Sequence, residues 1–254
     1  MSTGGKIQSI DRAMKVLECF SERNPELKLT EISERLKLNK STLHGIIKTM
    51  KDYGVIEQNS ETQEYKLGLK LVELANIVLN NLEIRNIAKP VLEKLVEEVN
   101  ETVHLGQLEG DKIVYIDKVE SHQSIRLFTN IGTLYDAHCT AIGKAILAYK
   151  SKEEVINIIP EDIEAHTPYT LTTKTEIIEN LKKVRESGYS LDIEENIEGL
   201  KCVGAPIYDH KGDVNYSISV SGPISRMTKK NTKFIIKKVL EATMEISKLM
   251  GYKK

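Results

Sequence analysis

The stretch Lys28–Met50, KLTEISERLKLNKSTLHGIIKTM, decides how the rest of the chain is read. Thr30 can cap a short helix, Glu31 to Leu36, that turns Ile32 and Leu36 inward. Three residues, Lys37-Leu38-Asn39, lead to a second helix. That helix groups Leu43, Ile46, Ile47 and Met50 on one face and Ser41, His44, Gly45 and Lys48 on the other, and Gly54 supplies its C-terminal stop. Upstream, Ser9 can cap a helix running to about Glu22 with Ile10, Ala13, Leu17 and Phe20 inward, before Asn24-Pro25 breaks the pattern. Downstream, strands Val55–Glu57 and Glu64–Leu67 flank the polar turn Asn59–Gln63. Three helices followed by a hairpin describe a winged helix-turn-helix, whose second paired helix lies in the major groove. Hydroxyls, an imidazole and lysines suit base edges and phosphates, so Lys40, Ser41, Thr42, His44, Gly45 and Lys48 are the candidate DNA-binding residues. Backbone N–H groups at the head of this helix would favour a phosphate. The plainer alternative is a helical hairpin with no role on DNA.

Composition is consistent with that reading. The chain has 254 residues, 40% apolar and 29% charged, which is a globular profile with length for one large or two ordinary domains. Its net charge is −1, but residues 1–70 carry net +2 and the remainder net −3. Between Leu36 and Lys51 stand Lys37, Lys40, Lys48 and Lys51 and no acid, a local basic face. No apolar run of ~20 residues could span a membrane, and MSTGGKIQSIDR lacks a signal core, so a cytoplasmic location is expected. Cys19, Cys139 and Cys202 stand far apart with no CxxC pair, which excludes a disulfide framework and a zinc ribbon.

From Leu67 the residues Leu71, Leu74, Val78 and Leu82 continue one apolar helical stripe. A partner chain or the following domain could cover it, and the spacing does not choose. A further helix carries Ile84, Ile87, Val91, Leu95 and Val99, with Pro90 implying a kink or fresh start. After Asn100 the period becomes two. Thr102–Leu108 and Lys112–Val119 flank Glu109-Gly110-Asp111 as a hairpin, and Ser124–Thr129 reads as another strand. Helices are predicted at Thr140–Tyr149, at Glu153–Ile159, and from a Thr173/Glu176 capping box to Gly188. Strands Leu200–Tyr208 and Val214–Ser221 follow, then a helix with Ile235, Val239, Ala242, Ile246 and Leu249 inward. Antiparallel strands with helices packed on them make an α+β domain. On the last strand, Asn215, Ser217, Ser219 and Ser221 share a face opposite Tyr216, Ile218 and Val220. Periodicity alone points that hydroxyl face to solvent; a polar cavity is the other reading.

The stretches SIDRAMKVLECF, KLTEISERLKLNKSTLHGIIKTM, YKLGLKL, ETVHLG, HCTAIGKAILA, SGYSLDIEENIEGLKCVGAPIYD and SVSGPISRM together resemble the isocitrate lyase regulator (IclR) family of bacterial transcription factors. Gly188, Asp192, Glu195, Cys202, Gly204, Ile207 and Asp209 fall at the intervals of that family's signature. The resemblance implies a winged helix-turn-helix at residues 1–68, a linker helix at 69–83 and a GAF-like effector-binding domain at 84–254. It also implies a homodimer or dimer of dimers on double-stranded operator DNA, a repressor more than an activator, controlled by a small organic acid. Carried over by motif, the effector-binding positions are Ala141 and Ile142 in HCTAIGKA, Asp192 in SLDIEE, Cys202 in GLKC, and Ser219 and Ser221 in SVSGP. No cofactor is implied. The chain departs from the family at Ile142, where smaller residues stand, and at Gly45, where many members carry arginine. Effector occupancy is then expected to act on the DNA-reading module through the Leu67–Leu82 helix.

Two other chemistries can be written on these residues. Cys202, His138 and Asp192 could form a thiol, a base and its orienter, although a lone cysteine inside a strand is ordinarily a small core residue. His138, Cys139, Asp192 and Cys202 could bind a metal in a metal-responsive regulator, although no short ligand spacing exists.

Overall fold

A computed structural model of the chain describes residues 6–123 and 129–253. It divides into two compact units, 1–81 and 82–254.

In the first unit, α1 (Gln8–Glu18), α2 (Leu29–Leu36) and α3 (Lys40–Asp52) enclose Val16, Phe20, Leu27, Ile32, Leu43, Ile47, Met50, Ile56 and Tyr65. The helix-turn-helix spacing puts Ile32 and Leu43 fully inside, as the apolar periodicity requires. A three-stranded antiparallel sheet follows the order β1 (Glu26–Leu27), β3 (Tyr65–Leu67), β2 (Ile56–Gln58). The hairpin was expected; its third strand, only two residues long, carries no readable alternation. The ends of the helices differ from the sequence reading. Helix α1 is capped at Ile7 and not Ser9, and it stops at Glu18 because Ser21 and Asn24 close a tight bridge. Ile10 is exposed. Helix α2 begins at Leu29, with the Glu31 carboxylate accepting from the Lys28 N–H at 2.6 Å in place of a Thr30 cap. The stripe expected from Leu67 to Leu82 is shorter: Leu67 belongs to β3, and α4 spans Lys70–Asn80. No residue of α4 is buried.

The second unit is a six-stranded, wholly antiparallel sheet in the order β6 (Leu134–Asp136), β5 (Lys112–Val119), β4 (Thr102–Glu109), β9 (Val214–Pro223), β8 (Leu200–Tyr208), β7 (Ser190–Ile193). Helices α5 (Glu83–Val99) and α9 (Lys229–Leu249) cover one face over Val103, Leu105, Val203, Ala205, Ile218 and Val220. Helix α5 runs through Pro90 without a fresh start. The other face carries α6 (Ala141–Leu147), with α7 (Lys152–Ile158) and α8 (Lys174–Ser187) built onto it around Ile146, Val155, Ile177 and Leu181. Gly188 ends α8 at φ 77°, as its stop signal predicts. The expected Ser124–Thr129 strand falls mostly outside the described residues.

This second helical layer corrects the reading of β9. Ser217, Ser219 and Ser221 are buried, not solvent-facing, because the chain between β6 and β7 folds back over them. An alternation of polar and apolar residues reports two different faces; it does not report what lies above each.

Candidate nucleic-acid interface and buried polar pocket

Helix α3 starts where Asn39 stops the backbone in an extended conformation. The Asn39 Oδ1 accepts from the Thr42 N–H at 3.0 Å and from the Ser41 hydroxyl at 3.3 Å. That cap engages one of the N–H groups that the sequence offered to a phosphate. Leu43, Ile47 and Met50 anchor the inner face, which leaves Lys40, Ser41, His44, Gly45 and Lys48 exposed and Thr42 half-buried. All six candidates thus sit on the outward side or shoulder of one helix, with Thr49 beside them donating its hydroxyl to the Gly45 carbonyl at 3.1 Å. Lys51 reaches Gln58 on the hairpin at 2.7 Å and so ties the helix to β2. From Lys40 to Lys51 the face offers hydroxyl, imidazole and ammonium groups and no carboxylate; the exposed Asp52 closes the last turn.

The pocket in the second unit follows from strand register. Asp192 on β7 pairs with Cys202 on β8, and Cys202 with Ser221 on β9. One step along, Gly204 pairs with Ser219, and Ser219 with His104 on β4. These residues share the face under α6, whose first residues close the space: Thr140 caps α6 by accepting from the Gly143 N–H at 3.1 Å, and Ser190 Oγ donates to the Ala141 carbonyl at 2.5 Å. Helix and sheet can approach this closely only because Gly204 has no side chain; a Cβ there would stand 2.7 Å from the Ala141 oxygen. The result is a tight pocket of about 10 Å³, room for a single water, whose lining includes Ala141, Asp192, Cys202, Ser219 and Ser221.

Five of the six effector-binding positions read from the sequence therefore meet in one pocket. Ile142 does not: its side chain turns into the apolar cluster with Ile113 and Ile146, against Gly106. On a helix, neighbouring positions diverge by 100°, so Ala141 faces the pocket while Ile142 faces the core. Its bulk consequently leaves the pocket's shape alone. The lining also contains His104, Tyr115, Thr129, Tyr135, Thr140, Asn196, Ile197 and Leu200, which the sequence reading did not single out. A signal existed for His104, since alternation puts Thr102, His104 and Gly106 on the face opposite the core residues Val103 and Leu105.

Electrostatics in and beside the pocket are set by burial. Burial foremost, with the neighbouring Glu195 adding to it and Lys144 opposing, raises the Asp192 carboxyl to about 7. Asp192 Oδ1 accepts from the Glu195 N–H at 2.9 Å. Lys144 is wholly buried and forms an ion pair with Glu195, whose second oxygen has no partner among the described residues. Burial, and then the Lys118 charge, depress the His104 imidazole to about 3, so it is neutral. His104 Nε2 lies 2.7 Å from Thr129 Oγ1, and its ring stacks on Tyr115 at 4.7 Å.

The two alternative chemistries meet this geometry poorly. Burial pushes the Cys202 thiol far above its ordinary range, the reverse of an activated nucleophile, and His138 is not part of the lining. Among the described residues no three His, Cys, Asp or Glu side chains are grouped to share a metal ion. Nor is any helix among them long and apolar enough to cross a membrane.

Comparison with known proteins assigns both halves. The model of the IclR helix-turn-helix domain matches residues 9–60, and that of the bacterial transcriptional regulator IclR C-terminal domain matches 76–248. The chain is 37% identical over 248 residues to the HTH-type transcriptional regulator XynR of Escherichia coli, covering 97% of this chain and 98% of that one. It is 32% identical over 250 residues to the transcriptional repressor IclR of the same organism, covering 97% and 91%. The crystal structure of Thermotoga maritima IclR superposes with a TM-score of 0.76 at 31% identity, over 97% of this chain and 100% of that one. An IclR homologue of Microbacterium hydrocarbonoxydans, complexed with 4-hydroxybenzoate, shares the fold with a TM-score of 0.82 at 21% identity, covering 95% and 98%. The two Escherichia coli relatives are transcriptional regulators. With a winged helix presenting a basic, hydroxyl-rich face and a sheet holding a closed polar pocket, this chain belongs to the IclR family of bacterial transcriptional regulators.

Proposed function

We propose that this regulator is a homo-oligomeric repressor that reads two operator half-sites with α3 and releases or retains them according to a small organic acid in the pocket beneath α6. The observation that carries the reading is the joint exposure of Lys40, Ser41, His44 and Lys48 on a helix whose other face is fully packed. Lys40 and Lys48 hold phosphates, while Ser41, Thr42 and His44 meet base edges. In the pocket, Ser219 and Ser221 donate to the acid from the sheet and the start of α6 faces it from above, with Asp192 at the side suited to a hydroxyl. Ala141 and Cys202 shape the wall. Dimer formation is supported by α4 and the residue before it, where Leu69, Val72, Leu74, Ile77 and Val78 are between 45% and 75% exposed. So much apolar surface around an eleven-residue helix calls for a partner helix of the same kind. Half-sites related by a two-fold axis and spaced by ~10 bp or a multiple would match a dimer.

Mobility shift with DNA flanking the chain's own gene, over a salt series and with added organic acids, tests the proposal. Sequence-selective, salt-sensitive retention that an acid weakens is expected. Absence of selective retention on any such fragment overturns it.

A further inference from the structure

We infer a second ligand site, separate from the polar pocket: the cleft between α7 and α8, which takes an apolar ring or a short chain of about six carbons carrying one carboxylate. The two sites stand at opposite ends of α6. Ala141, its first residue, faces the polar pocket, whereas Leu147, its last, and the following Ala148 floor the cleft. Val155 of α7 and Ile178 and Leu181 of α8 complete an aliphatic wall. Leu147, Ala148, Val155 and Leu181 are each at most 5% exposed, so the floor is the edge of the core and not a loose surface patch. The cleft holds about 150 Å³, and an aliphatic hollow of that size accepts a benzene ring. A helix, about 10–12 Å across with its side chains, does not enter it.

The rim is cationic. Lys150 and Lys152 stand on one side, Lys182 and Arg185 on the other. Helix geometry combines floor and rim, since Ile178, Leu181, Lys182 and Arg185 fall at i, i+3, i+4 and i+7 on one face of α8. No carboxylate lines the cleft, and among the described residues none of the four cations forms an ion pair. Glu154 on α7 is occupied at its own helix cap, its carboxylate accepting from the Ser151 N–H at 2.8 Å. Two of the cations are already held in place. Lys150 donates to Asn215 Oδ1 at 2.9 Å, and the Arg185 guanidinium lies over the Tyr149 ring at 5.7 Å. Less ordering is then left for a ligand to bring about. Four cations around an apolar hollow favour a molecule with an anionic head and an apolar body. A purely polar anion leaves the floor uncovered, and a neutral ring leaves the rim unused.

The test uses the full chain with labelled methyl groups and the probes benzoate, cyclohexanecarboxylate, benzyl alcohol and acetate. Resonances of Val155, Ile178 and Leu181 report the cleft, and that of Ala141 reports the polar pocket. Benzoate or cyclohexanecarboxylate is expected to move the three cleft methyls at concentrations ~10-fold or more below those required of benzyl alcohol or acetate, the effect of one charge-assisted contact added to ring burial. Lys182→Gln and Arg185→Gln, both at exposed positions, should each weaken the acid ~3–5-fold and leave the cleft methyls of the free protein in place. Lys182→Glu combined with Arg185→Glu should erase the preference for acid over alcohol. No movement of the cleft methyls with either acid, an equal response to benzoate and benzyl alcohol, or a preference that survives the double reversal overturns the inference. Three further outcomes also overturn it. A response confined to Ala141 gives the acid to the polar pocket only. Cleft methyls that move with protein concentration and no probe make a second copy of the chain the occupant. Movement with a peptide of alternating Glu and Leu but with neither acid makes the occupant a protein segment.

Discussion

Gly45 is the position where a single methyl group tests the helix α3 argument most sharply. It sits within an otherwise regular helix on the exposed face, and a Cβ there would find no atom within 4 Å. Nothing in the folded chain therefore uses the absence of a side chain. An exposed mid-helix glycine costs ~1 kcal/mol relative to alanine, largely through the freedom it retains when unfolded. Gly45→Ala should stabilise the first unit by that amount, a rise of ~4–8 °C in its transition for a domain of this size. Amide exchange in α3, followed beside thermal unfolding, assigns the gain to the right unit. Gly143→Ala supplies the opposite sign, since its Cβ would stand 2.0 Å from the Ala137 oxygen and 2.5 Å from the Ala137 Cα, where backbone must move. A loss of ~2 kcal/mol or more is expected there. If Gly45→Ala is neutral or destabilising, the description of that face as unencumbered is wrong. If it stabilises the protein yet weakens operator binding, the glycine serves close approach to the DNA backbone.

Other expectations are as follows. Asp192, at about 7 when folded against 3.8 otherwise, holds an extra proton in the folded state, so it lowers stability as pH rises from about 4 to 7. His104, at about 3 against 6.5, acts oppositely and lowers stability as pH falls from 6.5 towards 3. Asp192→Asn should thus leave a curve that climbs with pH across this window, measured by urea unfolding at several pH values. Lys144→Met strands a buried Glu195 and should cost about 3–5 kcal/mol, while Lys144→Met combined with Glu195→Leu should recover much of it; equal losses would refute the pairing. Lys40→Gln and Lys48→Gln should each reduce the salt slope of DNA binding by about 1 with little change in sequence choice, whereas His44→Ala should change the preferred sequence. If α4 carries the proposed dimer contact, Ile77→Glu should halve the mass seen in light scattering without loss of helix content.

The helix-turn-helix was legible because its information is local. Apolar spacing and a three-residue turn both lie within Lys28–Met50, and helix periodicity alone separates the packed face from Lys40, Ser41, His44 and Lys48; that Asn39 in that turn caps α3 came only from the structure. Boundaries were less so: Ser9 and Thr30 look like caps, but the helices begin earlier, at Gln8 and Leu29, where backbone and carboxylate groups meet the need. Strands β1, β6 and β7 escaped notice because two to four residues cannot show a period. The pocket was half legible. Motif resemblance supplied Ala141, Asp192, Cys202, Ser219 and Ser221, yet it also supplied Ile142, which the helix turns into the core. His104, Tyr115 and Thr129 come from separate strands and loops, and only register brings them to the same wall.

The sequence by itself determined the element types, the winged-helix order and which face of α3 meets solvent, because each depends on residues within a few turns of one another. Only the tertiary structure decided that the serine face of β9 is enclosed, that Lys144 is buried against Glu195, and that His104 is buried on the pocket wall. Those outcomes depend on α6 to α8 folding over a sheet whose strands are some hundred residues apart in the chain. Burial sets the charge state of Asp192 and His104, and burial is a property of what packs above a residue, not of the residue's own neighbours in sequence.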